Sequence, residues 1–288
     1  MPNNILMYFC QTIFFKMNYS TSDFTLGILG GGQLGKMLLQ VTSRLSIKTN
    51  VLDPSNDSPC KEMCSEFTRG QLMDFDAVYN FGKKCDVVTY EIEHVNVDAL
   101  EKLERNGINV YPDSKTLKII QDKSTQKDFF IKNNIPTANH KYFKSLKDLE
   151  SIKYPCVWKK TKFGYDGYGV KILKSKEDFK NLPETEFIIE DLIPFKKELA
   201  TTVARNKSGQ IEIFPIVEMM FNDTSNQVEY VLCPAQISSE LNEKAKKIAL
   251  KVSKSFKQVG LLAVEMFLTH DDKILINEVA PRPHNSAH

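Results

Sequence analysis

Apolar residues fall along this chain in two rhythms. Thr25 to Gly30 (TLGILG) is a short apolar run ending in glycine, and Gln33 to Leu45 then sets Leu34, Met37, Leu38, Val41 and Leu45 at helical spacing. Thr49–Asp53, Asp86–Tyr90 and Gly107–Tyr111 repeat the short run, and Val97–Arg105 reads as a helix between the last two. Strands alternating with helices imply a parallel, doubly wound sheet. Residues 24–112 therefore read as a Rossmann-like α/β domain.

The rhythm changes after Pro112. Ser114–Gln121 and Lys123–Lys132 read as helices, and Ile135-Pro136 ends the second. Tyr154–Lys160, Val170–Leu173, Glu186–Glu190, Leu199–Arg205, Ile211–Met219 and Glu229–Cys233 are strand candidates with little helix between them, which favours antiparallel pairing. Ser239–Gln258 is one amphipathic helix, with Leu241, Ala245, Ile248, Val252 and Phe256 on one face. Leu261–Leu268 and Lys273–Ile276 form a last strand pair. Residues 113–288 read as a second, α+β domain.

Residues 1–23 are expected to lie outside the fold. Ile5–Phe15 is apolar but interrupted by Gln11 and Thr12. It is too short to span a bilayer and lacks the basic start and cleavage site of a signal peptide. Residues 1–16 read as an addition from an upstream start codon.

Composition narrows the class. Of 288 residues 42% are hydrophobic and 26% charged, as in a soluble globular protein. Lys and Arg number 38 against 36 Asp and Glu, so the net charge of +2 gives no signal for nucleic acid or an anionic membrane. The six cysteines are scattered, which suits reduced thiols in the cytoplasm rather than a disulfide framework.

Four motifs carry candidate chemistry. Gly30-Gly31-Gly32-Gln33-Leu34-Gly35 matches G-x-G-x-x-G between a strand and a helix, with Asp53 closing the next strand. It reads either as a nicotinamide-dinucleotide site or as a packing turn that binds none. Lys159 to Gly169 (KKTKFGYDGYG) places Gly164, Gly167 and Gly169 in a hairpin whose amides could wrap a polyphosphate beside Lys159; the alternative is an ordinary β-turn. Glu190 and Glu198, at strand ends, suit hydrogen bonds to an adenine amine or ribose hydroxyls, or are solvated glutamates. Glu265 and Glu278 interrupt apolar strands, where a carboxylate needs a cation or an ion pair. Two on adjacent strands suit Mg²⁺; a pair of Glu278 with Arg282 or a lysine is the alternative.

Together GGGQLGKM, TYEIEHV, PDSKTLKIIQDKSTQK, IPTA, FGYDGYG and INEVAPRPHNS, spread from Leu26 to His288, closely resemble the N5-carboxyaminoimidazole ribonucleotide synthetases. These are ATP-grasp ligases of purine biosynthesis. The resemblance implies a preATP-grasp domain followed by an ATP-grasp domain, with ATP and Mg²⁺ as cofactors, aminoimidazole ribonucleotide and bicarbonate as substrates, and a homodimer. It implies that Lys123 and Lys159 contact the ATP phosphates, that Gly164 to Gly169 close over them, that Glu190, Asp191 and Ile193 hold adenine with Glu198 on the ribose, and that Glu265 and Glu278 bind Mg²⁺. Gln33, Leu34 and Glu91 would face the ribonucleotide, with Tyr165 and Asp166 reaching in from the loop. Arg282, His284 and Asn285 would line the joint between the two sites, and Arg282, Asp166 and Lys159 would act on the reacting groups. The implied reaction forms carboxyphosphate from bicarbonate and ATP, then carboxylates the exocyclic amine, behind a loop that excludes water.

Tyr168 stands where such proteins often carry a basic residue, and Ala287 where glycine is usual. They also continue into a third domain, whereas this chain stops at His288. Competing readings are a nucleotide-binding fragment without turnover, another ATP-grasp carboxylate–amine ligase such as a formate-dependent glycinamide ribonucleotide transformylase, and a nicotinamide-dependent oxidoreductase. The PRPHNS tail argues against the second of these, and the third leaves the Glu265/Glu278 pair without a role.

Overall fold

The computed structural model describes residues 24–146, 152–162, 169–221 and 228–287. The readings of residues 1–23 and of the loop 163–168 lie outside the described residues. The chain divides into two compact units, with the boundary between Ser114 and Lys115.

The first unit is built on β1 (Thr25–Leu29), β2 (Lys48–Asp53), β3 (Glu66–Arg69), β4 (Val87–Tyr90) and β5 (Asn109–Val110), in the order β3-β2-β1-β4-β5. Every pairing is parallel. Ile28, Leu29, Val51, Leu52 and Val88 are wholly buried. Burial on both faces is why β1 and the Val51-Leu52 step of β2 show no apolar–polar alternation, as in a parallel strand covered on both sides. The helices are α1 (Gln33–Arg44), α2 (Phe75–Gly82) and α3 (Val97–Arg105). Asp74 caps α2 by accepting from Ala77 N at 2.7 Å, and Asn96 caps α3 by accepting from Ala99 N at 2.9 Å.

α1 corrects the expected helical face. Gly35, Leu39 and Thr42 are its buried residues, whereas Met37, Val41 and Leu45 are 36%, 56% and 50% exposed. The helix lies on the sheet through its smallest side. A Cβ on Gly35 would stand 3.1 Å from both Cys60 Sγ and Gly30 O, so glycine sets the approach. Periodicity alone found a stripe of larger side chains beside the true contact.

The second unit opens with α4 (Ser114–Ile120) and α5 (Lys123–Lys132). β6 (His140–Phe143), β7 (Cys156–Lys160), β8 (Val170–Leu173) and β9 (Phe187–Asp191) form an antiparallel sheet in the order β6-β9-β7-β8. β10 (Phe195–Arg205), β11 (Ile211–Ile213), β12 (Val217–Phe221), β13 (Val228–Leu232), β14 (Gly260–Thr269) and β15 (Ile274–Ala280) form a larger antiparallel one, ordered β13-β12-β10-β14-β15 with β11 also on β10. α6 (Ser239–Phe256) buries Ala245, Ala249, Val252, Ser253 and Phe256. Leu241 and Ile248 also pack on the core it shares with Leu199, Leu262 and Val264.

Three expectations change here. Ile211–Met219 is two strands, because Pro215 lacks the N–H a ladder needs. β10 begins at Phe195, so Glu198 lies inside a strand rather than at its start. β3, α2 and β6 are additional elements; β3 (EFTR) and β6 (HKYF) are four-residue strands with no fully apolar face to betray them.

Candidate active site

Lys123 and Lys127 lie four residues apart on α5 and so leave the helix on one side. Asp122 caps that helix, accepting from Thr125 N at 3.0 Å. Lys159 is near the end of β7. On β9 Glu190 stands opposite Val157, two residues from Lys159, which puts both side chains on one face of the smaller sheet. Glu190 Oε2 is 3.0 Å from Lys159 Nζ, and Oε1 is 3.2 Å from Lys127 Nζ. Lys127 and Glu190 are each 3% exposed. Burial works against the Glu190 charge, but the two ammonium groups outweigh it and hold the carboxyl below its ordinary range. Burial lowers Lys127 to about 8 despite Glu190.

The carboxylates lie on the larger sheet. Val264 pairs with Val279 and Met266 with Ile276, so Asn277 and Glu278 together oppose Glu265 at a bulge. Lys123 Nζ donates to Glu278 Oε2. Lys123 drives the Glu278 carboxyl well below the usual range, against the effect of burial. Lys159 Nζ donates to Asn277 Oδ1 at 3.0 Å. Glu198 is opposite Phe267 and Ala200 opposite Glu265, so Glu198 and Glu265 are diagonal neighbours on one face. Burial, with Glu265 second, lifts Glu198 to about 7. His284 Nε2 is 3.1 Å from Glu265 Oε1. Ser286 N–H donates to His284 Nδ1 at 3.3 Å, which leaves the ring proton on Nε2, toward Glu265.

Glu265, Asn277 and Glu278 offer oxygen donors, the chemistry that Mg²⁺ requires. Among the described residues no group of three or more His, Cys, Asp or Glu gathers into a cage. A pair of carboxylates facing lysines suits a cation that shares its coordination with phosphate oxygens. The residues therefore fit a Mg²⁺–nucleotide complex.

The glycine turn of the first unit is arranged differently. Gly32 N and Gly35 N donate to the two Glu91 oxygens at 2.8 and 3.2 Å. Gly31 N donates to Asp53 Oδ2 at 2.7 Å, and Ser55 N to Asp53 Oδ1 at 2.8 Å. Ser58 Oγ donates to Gly31 O at 2.7 Å, and a Cβ on Gly31 would stand 2.2 Å from that hydroxyl. The amides that would hold a pyrophosphate, and the acid that would hold a ribose, are both engaged by the protein itself. This geometry favours the packing turn over the dinucleotide site.

Comparison with known proteins agrees. Residues 128–288 match the ATP-grasp domain and residues 24–121 the ribonucleotide synthetase preATP-grasp domain. The N5-carboxyaminoimidazole ribonucleotide synthase of Staphylococcus aureus is 34% identical over 94% of this chain and 74% of its own length. The chain belongs to the N5-carboxyaminoimidazole ribonucleotide synthase family. The phosphoribosylaminoimidazole carboxylase of Candida glabrata is 39% identical over 92% of the chain and 48% of its own length, so the chain spans about half the length of that longer relative. The Aspergillus clavatus synthase, solved in complex with ADP and 5-aminoimidazole ribonucleotide, superposes with a TM-score of 0.82 at 34% identity, covering 92% of this chain and 71% of that one.

For a chain of this synthase family, the second unit brings Lys123, Lys159, Glu190, Glu198, Glu265, Glu278 and His284 into one cluster through the contacts above. The ion pair foreseen for Glu278 exists, with Lys123 as the partner. Arg282 Nη1 donates to Pro283 O at 3.0 Å, and Asn285 is exposed in the closing 3₁₀ turn. Gly169 closes the glycine hairpin at φ +83°, its carbonyl accepting from Lys160 N at 2.8 Å. Gly164, Tyr165, Asp166 and Gly167 lie outside the described residues. Asp191 Oδ2 accepts from Asn139 Nδ2 at 2.8 Å, and Ile193 follows in the connection to β10. In the first unit Gln33 is exposed and Leu34 half-buried. Sequence reasoning missed Lys127. Its signal was available: it is four residues beyond Lys123 on the same helix face.

Proposed function

We propose that the chain carries out ATP-dependent carboxylation of aminoimidazole ribonucleotide by bicarbonate, giving N5-carboxyaminoimidazole ribonucleotide. The observation that supports this best is the meeting of Lys123, Lys127 and Lys159 with Glu190, Glu265 and Glu278 across two antiparallel sheets. Mg²⁺, held by Glu265 and Glu278, would offset phosphate charge. Lys123 and Lys159 would then orient the phosphates. The backbone after Glu190, including Asp191 and Ile193, would hold adenine, while the Glu190 side chain anchors Lys159. Glu198 would receive the ribose, and His284 would orient Glu265. Gln33, Leu34 and Glu91, with Arg282 and Asn285, are assigned to the ribonucleotide, and Tyr165 and Asp166 with the glycine loop to closure over the reacting groups. Free thiols at Cys60, Cys64, Cys85, Cys156 and Cys233 support a reducing, cytoplasmic setting. Among the described residues no helix is long and apolar enough to cross a membrane.

The test is ADP release from ATP with Mg²⁺ and bicarbonate, with and without aminoimidazole ribonucleotide. Release that requires the ribonucleotide is the expected result. Release indifferent to it would overturn the substrate assignment. Nucleotide binding without turnover would identify a binding fragment.

A further inference from the structure

Lys127 has no place in the reading above except as a neighbour, yet it is the most deeply set of the three lysines. Its Nζ donates to Thr137 Oγ1 at 2.8 Å, and that hydroxyl donates to Ile276 O at 2.7 Å. Ile276 N in turn donates to Pro136 O at 2.7 Å. Lys127 is thereby fixed to β15 just before Asn277, the residue that accepts from Lys159. Its remaining contact is the Glu190 oxygen that Lys159 does not use.

Charge arithmetic gives this arrangement a consequence. Lys159 and Glu190 alone would make a neutral buried pair, with little pull on an anion. Two ammonium groups around one carboxylate keep a net charge of +1. Within this trio the surplus charge favours phosphate, while Lys123 pairs with Glu278 beside it and Glu265 is left for a cation. The Thr137 tether holds Lys127 back, and Lys159 is the member that also reaches Asn277 beside Glu278.

We propose that Lys127 is a positioning residue: by sharing Glu190 it leaves the charge of Lys159 only partly compensated and aimed for the nucleotide phosphates. The inference rests on the nucleotide-binding reading of the cluster. Its consequence is selectivity for phosphate rather than affinity in general.

The experiment measures binding of Mg²⁺–ADP and of adenosine by competition with a fluorescent nucleotide, together with a thermal melt of each variant. Lys127→Met should weaken ADP about tenfold or more and adenosine less than about threefold, since adenosine carries no charge for Lys159 to meet. Lys127→Met combined with Glu190→Gln restores a net charge of +1, and should return ADP to within about threefold of the wild type. Lys127→Arg, which keeps the charge, should retain the preference for ADP. Equal losses of ADP and adenosine, or a double variant as weak as Lys127→Met alone, would overturn the proposal. If Lys127→Met does not fold, the double variant and Lys127→Arg decide the matter, and loss of ADP preference in either overturns it. A wild-type chain that binds no ADP would instead sink the nucleotide reading itself.

Discussion

The glycine turn of the first unit and the lysine cluster of the second both look like anion sites, and both already contain carboxylates. They differ in what those carboxylates meet. In the turn they accept from backbone N–H groups, whose positions are fixed by α1 and β1; Gly31, Gly32 and Gly35 have one proton each and have given it to Asp53 or Glu91. In the cluster they meet ammonium groups on flexible stems, each with three protons and a charge that one neighbour does not exhaust. Under the proposed function Lys123 would leave Glu278 for a phosphate, and Glu278 would then take a cation. The turn has no such exchange. A glycine motif thus reports how closely the backbone packs; whether its amides are free for a ligand depends on the acids elsewhere in the chain.

The comparison breaks most visibly at Glu278. Glu278→Gln keeps the shape but removes the charge that a cation needs, and it should abolish ATP turnover, read as ADP release under saturating ATP and Mg²⁺. Full activity in that variant would remove the metal assignment and leave Glu278 as a structural partner of Lys123.

The turn makes the opposite prediction. Glu91→Ala strands two amides, that of Gly35 buried and that of Gly32 partly so, and should lower the unfolding free energy by about 1–3 kcal/mol in urea titration. Glu91→Gln keeps one acceptor and should cost less. An alanine variant as stable as the wild type would show that the turn stands without its internal anion, and the contrast between the two regions would fall.

How far the sequence foretold these regions also differs. β1, β2, β4 and β5 were legible as short runs with an apolar centre, and α3 and α5 as the segments between or after them, whereas β3 (EFTR) carries no fully apolar face and was not. The buried side of α1 was not legible: Gly35 and Thr42 carry no hydrophobic signal, although they decide the contact. The individual acids of the cluster stood out because Glu265 and Glu278 interrupt apolar strands. Their pairing was hidden, since it depends on a bulge that sets Asn277 and Glu278 against one residue, and on which lysine of α5 reaches which strand. Glu190 read as an adenine ligand, but its side chain is taken by two lysines that lie 63 and 31 residues before it in sequence, Lys127 and Lys159.

The smallest expected effect concerns Glu198, where the cluster holds a carboxyl with no ammonium of its own. Its pKa rises from 4.5 to about 7 in the folded protein. Between those values the folded chain keeps a proton that the unfolded chain has released. Folding stability from this group therefore falls as pH rises from about 4.5 to about 7 and is level above it. Glu198→Gln cannot ionise, so its stability should lack that fall. Without nucleotide or metal, the variant and the wild type should differ little near pH 4, and the variant should be the more stable by about 1–2 kcal/mol near pH 8, a figure reduced for the solvent that reaches this half-buried side chain. Urea unfolding across that range reads the difference directly. Parallel curves would mean that Glu198 ionises freely beside Glu265, and that the acids of the cluster do not act on one another before a ligand arrives.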